Sequence, residues 1–255
     1  MVFDLLLPAD LPLWAAVAAI VASFFTAALT AAFGLGGGLA LLAIISAVFP
    51  APAVIPIHGV AQLGSNTSRF ILQRRHIVWP IALWFTGGGV LGAVGGGRIA
   101  VDLPTWGLQA GVGFFILYTL WGPKPLGRSP GPRTFFTTGA VAAFLTMFFG
   151  ATGPIAATMV ARVNLDRHHT TATHAACMVG QHTLKILVFG LLGFAYASWL
   201  PIIAAILATG FAGTFVGTRV LKKMPEAVFA RGFKALLSGL ALYLLVSALI
   251  SLRTG

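Results

Sequence analysis

The sequence repeats itself at a spacing of 116 positions, and a glycine-rich break interrupts a hydrophobic segment at the same place in each copy. The first break is Gly34-Leu35-Gly36-Gly37-Gly38, and the second is Gly150-Ala151-Thr152-Gly153-Pro154. Paired breaks in hydrophobic segments point to the binding site of a transporter. The duplication therefore predicts two copies of one membrane unit. Other residue pairs that coincide at this spacing are Phe33 and Phe149, His58 and His174, Gly64 and Gly180, Thr67 and Thr183, and Arg69 and Lys185.

The composition leaves too little polar surface for a water-soluble globule. Of 255 residues, 58% are hydrophobic and 8% are charged, whereas a soluble domain carries about 25% charged residues. We therefore expect an integral membrane protein. The net charge of +11 does not indicate nucleic-acid binding, because the basic residues lie mainly between hydrophobic segments, where they orient a membrane protein and meet lipid headgroups. The single cysteine, Cys177, excludes an internal disulfide.

Ten hydrophobic stretches are candidates for membrane segments, which need roughly 20 apolar residues to span a bilayer. The stretch 122–133 is basic and rich in Pro and Gly, which is typical of a linker. We therefore expect a first membrane repeat at 1–121, a cytoplasmic linker at 122–133 and a second repeat at 134–255. The ten stretches are 12–33, 35–50, 53–73, 77–97, 104–121, 134–150, 153–163, 170–190, 199–218 and 235–252.

Positive charge predicts the orientation. If the N-terminus lies outside and all ten segments cross, 13 of the 16 basic residues face the cytoplasm, as the positive-inside rule requires. If the short segments 35–50 and 153–163 turned back instead, the basic cluster at 219–234 would lie outside. We favour ten crossings. An odd number of crossings per copy then inverts the second copy, so the predicted fold is an all-α membrane protein with two inverted-topology repeats of about five segments each.

Glycines recur four residues apart in two other segments, at Gly88, Gly92 and Gly96 and at Gly213 and Gly217. Small residues at this spacing let helix backbones approach closely in lipid. We interpret these glycines as packing surfaces and assign them no substrate role.

The glycine-rich breaks could form an anion site. A break at membrane depth leaves N–H groups at the start of the following short helix, and these groups, together with the helix dipole, attract negative charge. A flexible kink is the alternative, but two breaks in register favour a substrate-lining role. The candidates are Gly34, Gly36, Gly37 and Gly38 in the first break and Gly150, Thr152 and Gly153 in the second.

Polar residues line one face of the third segment and the matching face of the eighth. Such residues at membrane depth usually face a cavity or a partner, although some only cap backbones or cross-link helices. Arg69 and Lys185 could also extend to the membrane surface. The binding candidates are His58, Gln62, Ser65, Asn66 and Arg69 in the third segment and His174, Gln181, His182 and Lys185 in the eighth.

All five carboxylates fall in predicted tails or loops. A site of amide, hydroxyl, imidazole and cationic groups without buried negative charge prefers an anion. Protons are a candidate coupling ion, since proton-coupled carriers place a carboxylate or histidine in the membrane, and only His58, His174 and His182 serve here.

The duplicated glycine breaks resemble those of the TauE/SafE family of sulfite exporters, as do His58-Gly59-Val60-Ala61-Gln62 and Ser65-Asn66-Thr67-Ser68-Arg69. The resemblance covers residues from about 15 to 250. It implies a multi-pass protein of the bacterial inner membrane, with a periplasmic N-terminus by our charge count. It also implies a secondary transporter, expected to be an exporter, of sulfite or small organosulfonates such as sulfoacetate. The second copy departs from the first, with Thr152, Pro154 and His182 at the positions of Gly36, Gly38 and Asn66.

Two other functions are alternatives to a carrier that works by alternating access around a midplane site. One is a passive anion channel with the same architecture. The other is an intramembrane enzyme or metal-handling protein using the six histidines, Cys177 and the five methionines. The histidines lack the spacing and the acidic partners of a metalloenzyme motif, and Cys177 stands alone. We therefore expect no enzyme activity, no metal and no cofactor.

Overall fold

A computed structural model describes residues 7–8, 11–33, 36–100, 104–123, 130–220 and 226–254, and the regular structure in these ranges is helical. Each predicted hydrophobic segment corresponds to one helix, so the all-α class is confirmed. Short 3₁₀ turns at Arg74–His76 and Tyr196–Trp199 precede the fourth and ninth helices. The α-helices are α1 (Leu13–Phe33), α2 (Gly37–Val48), α3 (Ala51–Leu72), α4 (Trp79–Ala100), α5 (Thr105–Trp121), α6 (Pro132–Phe149), α7 (Gly153–Ala161), α8 (Arg167–Leu191), α9 (Leu200–Val220) and α10 (Glu226–Thr254).

The outer surface of the helical assembly is apolar. Large side chains such as Phe25, Leu83, Phe211 and Leu249 expose more than half of their area, and a contiguous surface of this kind marks contact with lipid or a partner. Within the described ranges, three stretches are apolar and long enough to cross a bilayer, namely Leu13–Ala31, Tyr196–Gly217 and Lys234–Arg253. The prediction of a multi-pass integral membrane protein is confirmed.

Glycines bring α4 and α6 into backbone contact. A Cβ on Gly88 would overlap the carbonyl oxygen of Phe136, and a Cβ on Gly92 would overlap that of Ala140. The two contacts are four residues apart on each helix and follow in the same order along both, so α4 and α6 run parallel. The structure therefore agrees with the packing role predicted for these glycines.

The same interface recurs between α1 and α9. A Cβ on Gly213 would overlap the carbonyl oxygen of Phe24, and a Cβ on Gly217 would overlap that of Ala28. The Gly213–Phe24 pair is the sequence equivalent of the Gly92–Ala140 pair with the two halves exchanged, because the spacing grows from 116 to 121 after five extra residues in the second copy. The Gly217–Ala28 pair corresponds in the same way to the contact between Gly96 and Phe144. Each half therefore contributes one helix to each of two matching interfaces.

Helices α3 and α8 cross the centre antiparallel to each other. The rings of His58 and His182 lie 6.2 Å apart between centroids. Beyond the end of α3, the amide of Val78 donates to Oγ1 of Thr173 near the start of α8, at 3.0 Å. Since α3 and α8 occupy equivalent places in the two copies, their opposite directions agree with inverted repeats.

The short helix α2 occupies the middle of the assembly, in contact with α1, α3, α5 and α10. Its residues Leu42 and Ala43 are fully buried. Helix α7 lies against α6 and α8. The division of the chain at 121 and 134 and the inversion of the whole second half stay predictions, and residues 124–129 of the linker lie outside the described residues.

Candidate functional site

The two glycine breaks start short helices at equivalent positions. Helix α2 begins at Gly37 and α7 begins at Gly153, which are 116 positions apart. Gly36 has φ 102° and Gly150 has φ 73°, a left-handed backbone that side chains with a Cβ rarely adopt. Glycine is therefore required at these turns. Gly34, which also belongs to the predicted site, lies outside the described residues.

Each short helix presents the positive end of its dipole at the break. In α2 the amide of Ala40 makes the helix's first bond, to the carbonyl of Gly36 at 3.1 Å. The amides before it therefore have no carbonyl within the helix. In α7, Pro154 has no N–H to offer. The first break is thus the richer source of N–H donors.

His58 and His174 are attached to these helix starts. Nε2 of His58 donates to the carbonyl of Gly38 at 2.9 Å, and Nε2 of His174 donates to the carbonyl of Gly153 at 3.2 Å. A carbonyl only accepts, so each Nε2 carries the proton. Nδ1 of the buried His58 has no hydrogen-bond partner in the described part of the chain. Both histidines therefore fix a broken helix to α3 or α8.

The breaks and the polar faces of α3 and α8 meet at one small cavity of about 50 Å³. Residues of both repeats line it, and none of those in the described ranges is a carboxylate. Nine of the predicted residues are among them: Gly36, Gly38, His58, Gln62, Asn66, Arg69, Gly153, His174 and His182.

Arg69 supplies positive charge to this cavity. Its Nη2 donates to Oδ1 of Asn66 at 2.9 Å, and Nδ2 of Asn66 donates to the carbonyl of Gln62 at 2.8 Å. The side chain of Asn66 is buried. The guanidinium is therefore held at the cavity by a hydrogen-bonded ladder along α3.

Thr152 and Gln181 are in the second repeat but do not line the cavity. Nε2 of Gln181 donates to Oγ1 of Thr152 at 2.8 Å, and that hydroxyl donates to the carbonyl of Ala142 at 3.0 Å. Both side chains are buried. They connect the second break to α6 and α8 and so hold its backbone in place.

Lys185 is also set back from the cavity. It is fully buried, and its Nζ donates to the carbonyl of Gly150 at 2.6 Å. The same carbonyl accepts from Oγ1 of Thr146 at 3.0 Å. The side-chain amino group of Lys185 therefore caps the end of α6 behind the second break.

The other predicted residues occupy different surroundings. Gly37 is buried, and a Cβ there would overlap the carbonyl oxygen of Thr26, so it lets α2 pack closely on α1. Ser65 lines a separate, larger cavity.

Asp166, at the exposed N-cap of α8, accepts from the amide of His169 at 2.9 Å, and this hydrogen bond lowers the pKa of its carboxyl.

Sequence reasoning did not select several residues that line the small cavity. Thr30 is the clearest case, since it lies one turn before the first break and coincides with Thr146 in the repeat. That coincidence was a usable signal. The others are Leu39, Ala151, Pro154 and Met178.

A family model described as "Sulfite exporter TauE/SafE" matches residues 19–244. The match covers both repeats, both glycine breaks and every residue that lines the small cavity. No curated protein and no solved structure matches the chain.

Proposed function

The chain belongs to the TauE/SafE sulfite exporter family, and on that premise we propose that it is a secondary transporter of a small anion. The proposed cargo is sulfite or a small organosulfonate such as sulfoacetate, moved outward. The proposed location is a bacterial inner membrane, with the N-terminus in the periplasm. A transporter of this kind catalyses no chemical reaction on its cargo.

One observation carries this proposal: two helix N-termini and a guanidinium meet at a cavity with no carboxylate among its described lining residues. Gly36 and Gly153 bring the positive ends of α2 and α7 to the cavity, and Arg69 adds a full charge. Helix N-termini and arginine are the common protein ligands of oxyanions. The sign of the site therefore supports an anion.

The size of the cavity supports a small cargo. About 50 Å³ is a few times the minimum of about 10–15 Å³ that one water molecule needs in a cavity, so there is room for a few waters or one compact ion. A compact oxyanion fits this volume more readily than a larger organic solute. Among the proposed cargoes, sulfite is therefore the first to test.

The proposed mechanism is alternating access around this cavity. The anion contacts amides of the broken helices together with Arg69, Asn66 and His182, and the two repeats tilt against each other along α3 and α8. Broken helices and inverted repeats are the parts that such carriers use. His58 and His174 would carry each helix start along with its long helix. Protons are the proposed coupling ion, since proton-coupled carriers place a carboxylate or a histidine within the membrane and three histidines line this cavity.

Flux measurements test the proposal. Purified protein in liposomes should take up labelled sulfite in a saturable manner, and unlabelled sulfite on the far side should accelerate the exchange. An imposed pH gradient should change the rate if protons are coupled. The proposal fails if Gln62, Asn66, Gln181 and His182 can all be changed to alanine, in a variant that still folds, with no effect on flux.

The passive channel is the remaining alternative. A channel shares the architecture and the positive site, but its flux does not saturate at modest substrate concentrations and shows no counter-flow. The cavity between the repeats has a volume of only about 50 Å³, and this small size favours a carrier over a channel.

A further inference from the structure

A second cavity of about 250 Å³ lies between α1, α3 and α9. Six hydroxyl side chains line it: Ser23, Thr26, Thr30, Ser65, Ser68 and Thr214. Nothing in the anion site described above requires this cavity. Hydroxyls in such number are unusual beside lipid, where polar groups are costly unless they have a partner or face water.

The second cavity touches the anion site. Thr30 and Gln62 line both cavities. The amide of Gln62 lies against the first break, because a Cβ on Gly38 would come 2.8 Å from its Oε1. These two side chains therefore stand between the small central cavity and the larger one.

The hydroxyls differ in what they already bond. Four of the six hydroxyls already donate to backbone carbonyls: Ser23 to Ile206 at 2.8 Å, Thr26 to Ala22 at 2.7 Å, Thr30 to Thr26 at 3.0 Å and Thr214 to Gly210 at 2.9 Å. The side chains of Gln62, Ser65 and Ser68, by contrast, make no hydrogen bond to the described part of the chain. Along α3 they form a row of donors available to a solute.

This row leads away from the centre. Ser68 lies six positions after Gln62, which is about 9 Å along a helix. This is more than half of the roughly 15 Å between the bilayer centre and the edge of its hydrocarbon core. Ser68 is one turn from the end of α3 at Leu72, and Thr214 is near the end of α9 at Val220. Both therefore approach the membrane side that carries Arg74 and Arg75.

The region beside α8 that corresponds to this cavity is filled by side chains. At the spacing of 116, Met178 replaces Gln62 and Leu184 replaces Ser68, and at the spacing of 121 that follows five extra residues in the second copy, Ala93 replaces Thr214. Met178 and Ala93 are buried, and Leu184 lies against Gly89, whose Cβ would be 3.2 Å from Cδ1 of the leucine. Phe85, at the position of Ile206, is also buried. The central cavity thus has a second cavity on one side, whereas packed side chains fill the other, among them the buried Gln181 at the position of Ser65.

We propose that the hydroxyl-lined cavity is the route by which the anion passes between the central site and the membrane side that carries Arg74 and Arg75, with Gln62 and Thr30 forming the constriction. This inference rests on the proposed function. The cavity is the access path of a conformation open to one side, and the apolar packing around Met178 and Leu184 closes the other. By the charge distribution, the open side is the cytoplasm.

Single cysteines test the route without any measurement of transport. The background is Cys177→Ala, since alanine stands at the equivalent position, Ala61. The test variants are S68C and T214C, and their matched controls from the other repeat are L184C and A93C. The probe is a membrane-impermeant methanethiosulfonate that carries a sulfonate group.

The probe should modify S68C and T214C about ten times faster than L184C and A93C, because thiol reaction follows exposure. It should do so from the side of Arg74 and Arg75 only, and added sulfite should slow the reaction. Equal rates for test and control variants, or modification from the opposite side, would overturn the route. So would a lipid-filled cavity, revealed by fast reaction with an uncharged apolar maleimide and none with the sulfonate probe.

A closing substitution gives a second readout. S68L copies the residue of the filled repeat and should lower sulfite flux about tenfold while sulfite still raises the melting temperature of the protein, because the central site is untouched. Normal flux in S68L would contradict the route. If the cysteines react as expected but the unmodified protein carries neither sulfite nor sulfonates, the proposed cargo is wrong and the open cavity stands.

Discussion

His58 and His174 make the same hydrogen bond in the two halves of the molecule. Each donates Nε2 to a carbonyl in the first turn of the short helix after a glycine break, at 2.9 Å to Gly38 and at 3.2 Å to Gly153. The two donors lie 116 positions apart, and their helices run antiparallel through the centre. The duplicated histidine therefore joins each broken helix to the long helix that follows it.

Removal of either imidazole should destabilise the protein. H58A and H174A each remove a part-buried hydrogen bond to the start of a short helix, at a cost of about 0.5–1.5 kcal/mol. Thermal unfolding in detergent measures the loss. H58Q, whose side-chain amide can donate over a similar reach, should recover part of it. The exposed His168 supplies the control, H168A, and an equal effect there would count against the bond.

Arg69 should matter for the anion more than for the fold. R69A removes the guanidinium from the cavity, and hydrogen bonds to charged groups contribute about 1.5–3 kcal/mol, so apparent sulfite affinity should fall roughly 10- to 100-fold. R69K should lie between the two because an ammonium keeps the charge and loses the fork. Arg98, exposed in the last turn of α4, gives the control R98A. Unchanged affinity in R69A would remove Arg69 from the site.

The glycines of the two helix interfaces should reject a methyl group. In G92A and G213A the new Cβ overlaps a carbonyl oxygen of the facing helix, and such overpacking costs about 1–3 kcal/mol. Gly239 of α10 has no atom within 4 Å of an added Cβ. G239A should therefore be neutral, or stabilising by about 0.5–1 kcal/mol, since alanine favours a helix. Melting temperatures in one detergent compare all three, and equal values would refute the backbone contact.

Thr152 should couple energetically to Gln181. T152V removes the hydroxyl that accepts from the Gln181 amide and leaves this buried amide N–H group unpaired, at about 1–3 kcal/mol. In the double variant T152V/Q181L the amide is also absent, so the total loss should be smaller than the sum of the single losses. T137V, at an exposed threonine with only a local bond to Thr134, serves as the control. Additive losses would argue against the network.

The sequence by itself determined the membrane class, the helix positions and the duplication, because hydropathy and repeated glycines are local properties of the chain. It also selected His58, Asn66, Arg69 and His174, since polar residues inside apolar segments stand out without a structure. The two equivalent breaks predicted that a short helix follows each of them, with the start of the second at Gly153 as observed and that of the first at 35, two residues before Gly37. These features depend on spacing along the chain.

Only the tertiary structure decided which polar residues share a cavity and which hold the backbone. Gln181 and Lys185 looked like binding residues beside His182, yet their side chains bond to Thr152 and Gly150 and stay behind the second break. Ser65 likewise lines a different cavity from its neighbour Asn66. A one-residue step turns a helical side chain by about 100°, since 3.6 residues complete a turn. The side chain's surroundings are therefore fixed by which helices lie on each side, and those contacts join residues far apart in the sequence.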